Sequence, residues 1–406
     1  MGDSLSIGVI GAGPAGIMAA LEGARLGARV TLYDTNERVG RKLLVTGNGR
    51  CNISNDHARA EVYARGDRTF IADCLQRFGS QESVARLREL AIPTYATADG
   101  WRYPLSNSAA GVVEALSAAV ALSGVAFRKK CKISDMQSAG SGLLLIEGGG
   151  EHSRRFDRVI VACGGVAYPA LGSKGQLLPT LDRLGHSIVP PRPALVGIRA
   201  EMGSLHKLQG VRLDVGLTLR RDETVLGRTF GNLMFAKTGF SGPAAMDLSH
   251  LVEGDPPRDL WLEIDLLAES EDEIQRLIRY QRQSALPLTV VLGAALPTKI
   301  PPLLLEMASL APDATLAQAS DEQLERLMHE ARHLSARVTG TRGLAQAQVS
   351  TGGVPLGEVD PADMQSRRVP GLYLAGEVLD VIGPCGGYNL QWAWTSGVLA
   401  GRGAAG

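Results

Sequence analysis

Three glycines spaced as Gly11-x-Gly13-x-x-Gly16 are the first residues whose types and spacing can do chemistry. A short apolar run, Ile7 to Ile10, enters them, and an alanine-rich segment with helical potential leaves them. Gly11 permits a tight turn, Gly13 lets the backbone approach a pyrophosphate with no Cβ in the way, and Gly16 lets the helix pack close to the strand. The pyrophosphate would sit at a helix N-terminus, where unpaired N–H groups and the dipole favour an anion. A second apolar run, Val30 to Tyr33, ends in Asp34, eighteen residues beyond Gly16. A carboxylate there accepts hydrogen bonds from the hydroxyls of an unphosphorylated adenosine ribose.

The other chemically marked residues stand near the far end. Val369 to Glu377 reads as a buried strand ending in glycine and a carboxylate, Gly383 to Gly387 as a glycine-rich turn, and Tyr388-Asn389-Leu390-Gln391-Trp392 as the start of a helix. Glu377 is placed to bind a ribityl hydroxyl, or a phosphate through water. The N–H groups around Gly387 to Leu390 can stabilise negative charge at the pyrimidine end of a reduced isoalloxazine ring. A flavin needs that far half; a nicotinamide cofactor does not. Between the two halves, Arg158 to Gly165 repeats a buried strand running into glycines, a second approach of backbone to a bound dinucleotide.

These residues need elements to hold them. Leu75 and Phe78, then Val84, Leu87 and Leu90, recur at helical spacing until Pro93. Gly100-Trp101-Arg102-Tyr103-Pro104 reads as a turn, Ser106 or Ser108 as the cap of a helix ending at Gly124, and Val125 to Phe127 and Leu143 to Ile146 as strands. From Pro190 the character changes. Val211, Leu213, Val215, Leu217 and Leu219 alternate with polar residues and glycine, Arg221 to Thr224 turns, and Val225 to Phe235 can return, which predicts a small β-barrel or sheet. Ser270 with Glu273 and Ser320 with Gln323 read as capping boxes opening helices. No further G-x-G-x-x-G lies in this insert, so a second resident dinucleotide is not expected.

Composition sets the limits. The chain has 406 residues, 45% hydrophobic and 21% charged, which describes a globular protein of two or three domains. Lysine plus arginine equals aspartate plus glutamate, 42 each, so no global field draws it to nucleic acid or anionic lipid, although a local basic groove is not excluded. Five scattered cysteines, without a C-x-x-C pair, argue for a reducing compartment and against a disulfide framework or structural zinc. Met1 to Ser6 fits an N-myristoylation pattern, but a buried strand begins about there, so the match is read as incidental. No basic segment precedes the first apolar run, and Gly111 to Phe127 is too short and interrupted to span a bilayer. A cytoplasmic location is expected. His329-Glu330-Ala331-Arg332-His333 matches the H-E-x-x-H zinc signature. At about 100° per residue, however, Leu324, Leu327, Met328, Ala331 and Leu334 form one face and both histidines point to the other, so no metal site is expected.

GAGPAG, GRKLLVTGNGRCNISN, VIVACGGVAYPALGS, SGPAAMDLS and VPGLYLAGEVLDVIGPCGGYNLQWAWTSG together resemble the HI0933-like (BaiN/RdsA-type) FAD-dependent flavoproteins, from the first strand to the last helix. The resemblance implies an α/β fold: a glutathione-reductase-like FAD-binding Rossmann domain (1–190 and 340–406), split by a β-barrel insert (191–265) and a small helical subdomain (266–339). It implies FAD held by Gly11, Gly13, Pro14, Ala15, Gly16, Asp34, Thr35, Gly40, Arg41 and Lys42. It adds Thr46, Gly47, Asn48, Gly49, Arg50, Cys51 and Asn52, then Ile133, Ala162, Cys163, Gly164, Gly376, Glu377, Gly386, Gly387, Tyr388, Asn389 and Leu390. Members are associated with reduction of conjugated double bonds in bile-acid intermediates, dihydrouridine formation in ribosomal RNA, and oxidation of aminoacetone. Those chemistries share only the flavin, so the resemblance does not fix the substrate. The chain departs from the family after Gly172-Ser173: Lys174-Gly175-Gln176-Leu177-Leu178-Pro179 stands where relatives continue with a further glycine-rich, acidic turn. That loop is expected near the active-site entrance.

The expected reaction is hydride exchange between flavin N5 and a C–C or C–N bond of a small molecule, with NAD(P)H as transient donor in a reductase; the alternatives are an rRNA dihydrouridine synthase and an oxygen-using amine oxidase. Tyr388, Cys51 and Asn389 are the candidate catalytic residues near the ring; Tyr168 and His186 are weaker candidates that read rather as structural.

Overall fold

In the computed structural model the described residues are 4–150, 152–254, 257 and 259–406. Met1 to Asp3, where the myristoylation pattern begins, lie outside them. The chain forms two compact units, residues 1–193 with 348–406, and residues 194–347.

The first unit is built on a five-stranded parallel sheet. Its strands are β1 (Ser6–Ile10), β2 (Arg29–Tyr33), β3 (Ala126–Arg128), β4 (Arg158–Val161) and β5 (Leu372–Leu374), in the order β5-β4-β1-β2-β3. Ile7, Val9, Leu32, Val159, Ile160, Val161, Leu372 and Leu374 are wholly buried, as strands covered on both faces must be. The helix Pro14–Arg25 leaves β1 with Gly13 at its N-cap and Pro14 in its first turn, where a missing N–H costs nothing. Against it lies the helix Tyr388–Ala405. Gly397 and Gly401 make this contact close: a Cβ on either would stand 2.3 Å from Ala15 O or 2.5 Å from Ala19 O.

Two smaller sheets edge the unit. In one, Trp101–Pro104 is the central strand, paired with Ser54–Asn55 and Thr94–Ala96. The turn expected at Gly100 to Pro104 therefore ends at Gly100, which has φ 75°. Aromatic residues favour the pleat, and Arg102 is tied to Asp56 through both Nε and Nη2. The other is the meander Ile133–Ala139, Gly142–Glu147 and His152–Phe156. Ser108, rather than Ser106, caps the helix Ala109–Leu122, accepting from Gly111 N.

The second unit holds a closed six-stranded barrel in the order Ile198–Ala200, Gly239–Ser241, Thr224–Ala236, Arg212–Arg221, Leu260–Asp265, Leu334–Thr341. Its last strand lies largely within the stretch expected to be helical: Leu334, Ala336 and Val338 alternate inward with exposed Ser335 and Arg337. Between the last two strands run the helices Glu271–Tyr280, Leu288–Gly293, Ile300–Met307 and Asp321–Arg332. Ser320 and Gln323 form the expected capping box, but Ser270 makes no side-chain cap, and Glu273 pairs with Arg276 instead. Three acids in that first turn supply the favourable charge without a cap.

Candidate functional site

The three glycines at the end of β1 have three separate reasons. A Cβ on Gly11, at φ 104°, would stand 2.4 Å from Ala162 O, and one on Gly16 would stand 1.8 Å from Gly11 O. A Cβ on Gly13 would meet no protein atom within 4 Å. Packing within the chain therefore demands the first and third glycines but not the second, which leaves that position open to a group from outside the chain. Asp34 ties the turn to β2: its Oδ2 accepts from Ala12 N at 2.7 Å, and its Oδ1 from Asn36 N at 2.7 Å and Asn36 Nδ2 at 2.9 Å. A carboxylate has about four acceptor positions, so capacity remains for a ribose hydroxyl. Thr35 beside it is exposed. Cys131 N donates to Asp34 O at 2.9 Å, bringing the approach to buried Ile133 alongside.

Cys163 Cα lies 2.7 Å from the same Gly11 Cβ position, so the second strand-to-glycine turn meets the first. Burial, with Asp34 and Glu377 nearby, pushes the Cys163 thiol up to about 12. Beyond it, Glu377 Oε2 pairs with Lys42 Nζ at 2.9 Å while Oε1 accepts from Ser350 N at 2.9 Å and Ser350 Oγ at 3.2 Å. Gly165 is required there, since its Cβ would stand 2.2 Å from Ser350 Oγ. Ser350, which sequence reasoning missed, holds the candidate Glu377; it belongs to no motif and lies in the strand Val349–Gly353.

The loop after Gly40 is fixed to the turn by Gly40 N, which donates to Ala12 O at 2.7 Å. Arg41 Nη1 donates to Asn36 Oδ1 at 2.6 Å. Thr46 is extended, and Gly47, Asn48, Gly49 and Cys51 are all left-handed, with φ between 55° and 83°. This run turns backbone outward in place of a helix, and Thr46 O accepts from Cys51 N to close it at 3.0 Å. Arg50 stacks on the Tyr103 ring, 4.6 Å from its centroid.

The far helix start is held by residues that nothing in the sequence connected to it. Asn55 Nδ2 donates to Gly386 O at 2.9 Å, and Cβ atoms on Gly386 and Gly387 would strike the Trp101 indole at 2.9 Å and Ser54 O at 2.3 Å. Tyr63 Oη donates to Tyr388 O at 3.0 Å, with the two rings edge to face at 6.4 Å. Asn389 accepts from Gly383 N at 2.9 Å and donates to Gly383 O at 2.8 Å. Buried Gln391 accepts from Ser54 Oγ at 2.6 Å and donates to Ser83 and Thr395. The loop 51–55 is thus sewn to the helix that opens at Tyr388, whose first N–H groups have no partner within the helix.

The catalytic candidates separate. Cys51 is wholly buried, and desolvation pushes its thiol up to about 11, so it is a packed thiol at neutral pH. The Asn389 amide is spent on the turn. Tyr388 is half-buried beside Tyr63. Tyr168 is left-handed at φ 55° and opens the short turn Pro169–Leu171. His186 is buried, with Nδ1 2.8 Å from Glu358 Oε2 and Nε2 2.8 Å from Ser366 Oγ. Ser366 Oγ also accepts from Arg368 N and Val369 N, so its proton goes to Nε2 and the Nδ1–H faces Glu358. That triad is a fastening, with no open nucleophile. His329 and His333 are exposed, 4.6 Å between ring centroids, and line a groove of about 990 Å³ beside the helix Glu271–Tyr280. Among the described residues no three His, Cys, Asp or Glu gather as a metal site. Before the loop 174–179, Gly172 packs on Asn36, at the Asp34 end. No helix among the described residues is long and apolar enough to cross a membrane.

A parallel sheet whose first strand runs through a glycine turn into a helix, a second strand-to-glycine turn packed on the first, and a last helix opening at a glycine turn mark a Rossmann-type FAD-dependent oxidoreductase. FAD fits the residues present, Gly13 above all. The chain belongs to the HI0933-like family, whose model, described as "HI0933-like protein Rossmann domain", matches residues 5–403. It is 34% identical to a 3-dehydro-bile acid delta(4,6)-reductase of Clostridium scindens, over 98% of each chain. It is 30% identical to a ribosomal RNA dihydrouridine synthase of Haemophilus influenzae, over 96% of this chain and 95% of that one. The fold is shared with a 3-ketosteroid-delta4-(5alpha)-dehydrogenase of Rhodococcus jostii, TM-score 0.53 at 16% identity, over 99% and 97% of the chains.

Proposed function

We propose that this protein is an NAD(P)H-linked reductase of a small molecule bearing a carbon–carbon double bond conjugated to a carbonyl. The observation that carries the reading is the match, over nearly the whole of both chains, to a reductase of such bonds. When bound, FAD supplies hydride transfer at N5. The chain's residues then have these parts. The turn Gly11 to Gly16 and the helix it opens bind the pyrophosphate, Asp34 the ribose, and Lys42 with Glu377 the middle of the dinucleotide. The N–H groups of Tyr388, Asn389 and Leu390, pinned by Asn55 and Tyr63, balance negative charge at the pyrimidine end. Tyr388, half-buried beside Tyr63 at the start of the last helix, is the proton donor to the substrate carbon left without one.

Anaerobic stopped-flow mixing of the FAD-loaded protein with NADH and NADPH tests this. One of them bleaches the flavin absorbance, and a conjugated steroid dienone restores it. Bleaching by an amine but by neither nucleotide would sink the reductase reading in favour of an oxidase. The relative of 30% identity supports a second reading, an rRNA substrate. That reading requires affinity for rRNA fragments that falls steeply with salt.

A further inference from the structure

The loop that turns at Gly47 carries one charged side chain that the roles assigned above leave unused. Arg50 is exposed, yet its guanidinium is held: the central carbon lies 4.6 Å from the centroid of the Tyr103 ring, and Nη2 reaches Tyr103 Oη at 3.4 Å. Tyr103 is buried and lies beside Tyr95, with ring centroids 6.0 Å apart, so the platform under Arg50 is fixed. A planar guanidinium stacked on such a ring keeps its orientation with little further loss of freedom. Its Nε leans on Gly47 O at 3.5 Å, and its Nη1 has no acceptor among the described residues.

The other cations of this neighbourhood are spent. Lys42 pairs with Glu377 at 2.9 Å, Arg65 with Asp380 at 3.6 Å, and Arg102, the next residue before Tyr103 and so on the opposite face of its strand, with Asp56. Among the described residues no carboxylate pairs with Arg50. A guanidinium held still and left without an anion is equipped to receive one.

Three contacts place it at the start of the last helix. Trp101 and Tyr103 stand two apart on one strand, so they share a face about 7 Å apart. Trp101 packs on Gly386, where a Cβ would stand 2.9 Å from the indole. Tyr103 packs on Gly47, whose Cβ would stand 3.5 Å from Tyr103 Cε1 and 2.8 Å from Asn52 N. Asn52 closes the circuit, because its side-chain amide lies 2.7 Å from the Cβ position of Gly387, the residue before Tyr388. Within this loop Asn48 and Cys51, neither of them glycine, are left-handed at φ 55° and 62°. Such conformations persist where the fold imposes them, and they cluster at ligand sites.

We propose that Arg50, stacked on Tyr103, anchors the carbonyl oxygen of the substrate and balances the negative charge which that oxygen gains during reduction. The inference rests on the reductase reading above. As hydride from the reduced flavin adds to the far carbon of the conjugated double bond, the electron pair of that bond moves through to the oxygen and leaves an enolate. Arg50 holds the oxygen through its Nη1 N–H groups, and the proton of Tyr388 Oη goes to the carbon beside the carbonyl. The tyrosinate then regains a proton from water.

The test uses the full chain reconstituted with FAD and a mimic of the enolate, 4-nitrophenol, whose phenolate carries the charge on a conjugated oxygen and absorbs apart from the phenol. Titration into the oxidised holoprotein at mildly alkaline pH is read as a difference spectrum. The native protein should bind 4-nitrophenolate at least about tenfold more tightly than Arg50→Met does, the range of one lost charge-assisted hydrogen bond. Arg50→Lys, which keeps the charge but not the planar fork, should fall between them. The uncharged methyl ether, 4-nitroanisole, should bind both the native protein and Arg50→Met alike, which separates charge from packing. For a conjugated steroid dienone, kcat/KM should fall at least about tenfold in Arg50→Met. Equal phenolate affinity in the native and Arg50→Met holoproteins, or a loss confined to FAD affinity, overturns the anchor. Failure of NADH and NADPH to bleach the flavin, with 4-nitrophenolate still held through Arg50, overturns the reductase reading instead and leaves the anion site standing.

Discussion

Gly13 separates binding from folding within one motif. Its backbone, at φ −79° and ψ −177°, suits any residue, and no protein atom opposes a Cβ. Gly13→Ala is therefore expected to leave apoprotein stability within about 0.5 kcal/mol, while FAD affinity, read by fluorescence titration, falls at least about tenfold because the methyl group occupies the pyrophosphate's approach. Gly11→Ala, with a carbonyl 2.4 Å away, should instead fail to fold. Cys51→Ser should keep the rate of flavin reduction within about twofold, since a thiol held near 11 is no nucleophile at pH 7, and iodoacetamide should not label Cys51 in the native protein. Tyr388→Phe should slow substrate reduction about a hundredfold with reduction by NAD(P)H unchanged, the mark of a lost proton donor. The turn at Gly11 to Gly16, Asp34 at the end of β2 and the helix start at Tyr388 were legible because each is local in sequence. Ser350, Tyr63, Asn55 and Trp101 were not, because each acts on a residue it meets only in the folded unit, such as Asn55 on Gly386.

At the scale of elements, the contact between the helices Pro14–Arg25 and Tyr388–Ala405 decides whether the two halves of the proposed cofactor site share one geometry. Gly397→Ala would press a methyl group on Ala15 O, 2.3 Å away, and push the helices apart. We expect a loss of about 1–3 kcal/mol in chemical denaturation, together with weakened FAD binding that Gly13→Ala would show without the stability loss. Glu22, buried, is held there by Arg25 at 2.9 Å, Arg86 at 3.1 Å and Arg402 at 3.4 Å. Element types were read well where a pattern ran long, as in the alternating strand Arg212–Arg221. They were misread where sequence gave two readings. Gly100 to Pro104 carries turn residues at both ends, and its strand character depends on pairing with Ser54–Asn55. Leu334 continues the apolar face of the preceding helix, yet the helix stops at Arg332 and Leu334 starts a barrel strand because the Leu260–Asp265 edge needs a partner.

Across the whole molecule, carboxylates held below their ordinary range set the response to acid. Hydrogen bonds from the side chain and backbone N of Ser6 lower Asp157. Burial alone would raise Glu358, but hydrogen bonds from Ser187 and His186 outweigh it and the net shift is downward. A group lowered in the folded state contributes stability that is complete above its unfolded value and is lost as pH falls through the folded one. Melting temperature should therefore hold from pH 7 to about 5 and fall below the ordinary carboxylate values of 3.8 and 4.5. Asp157→Asn, less stable at pH 7, should show a shallower fall. The zero net charge, 42 against 42, gives no opposing global repulsion near neutrality.

In the function proposed above Gly11 and Leu390 serve one site, and that separation has a meaning in the time of synthesis. At about 5–20 residues per second, the ribosome takes on the order of half a minute to go from the opening helix to the one that covers it. Until then the surface around Ala15 and Ala19 stands bare, and only the residues around Gly11 and Asp34 are available to a flavin. The 194–347 unit, continuous in sequence, is finished earlier. Tight flavin capture is thus a late event in the life of the chain, and a yellow molecule is one whose last helix has already docked.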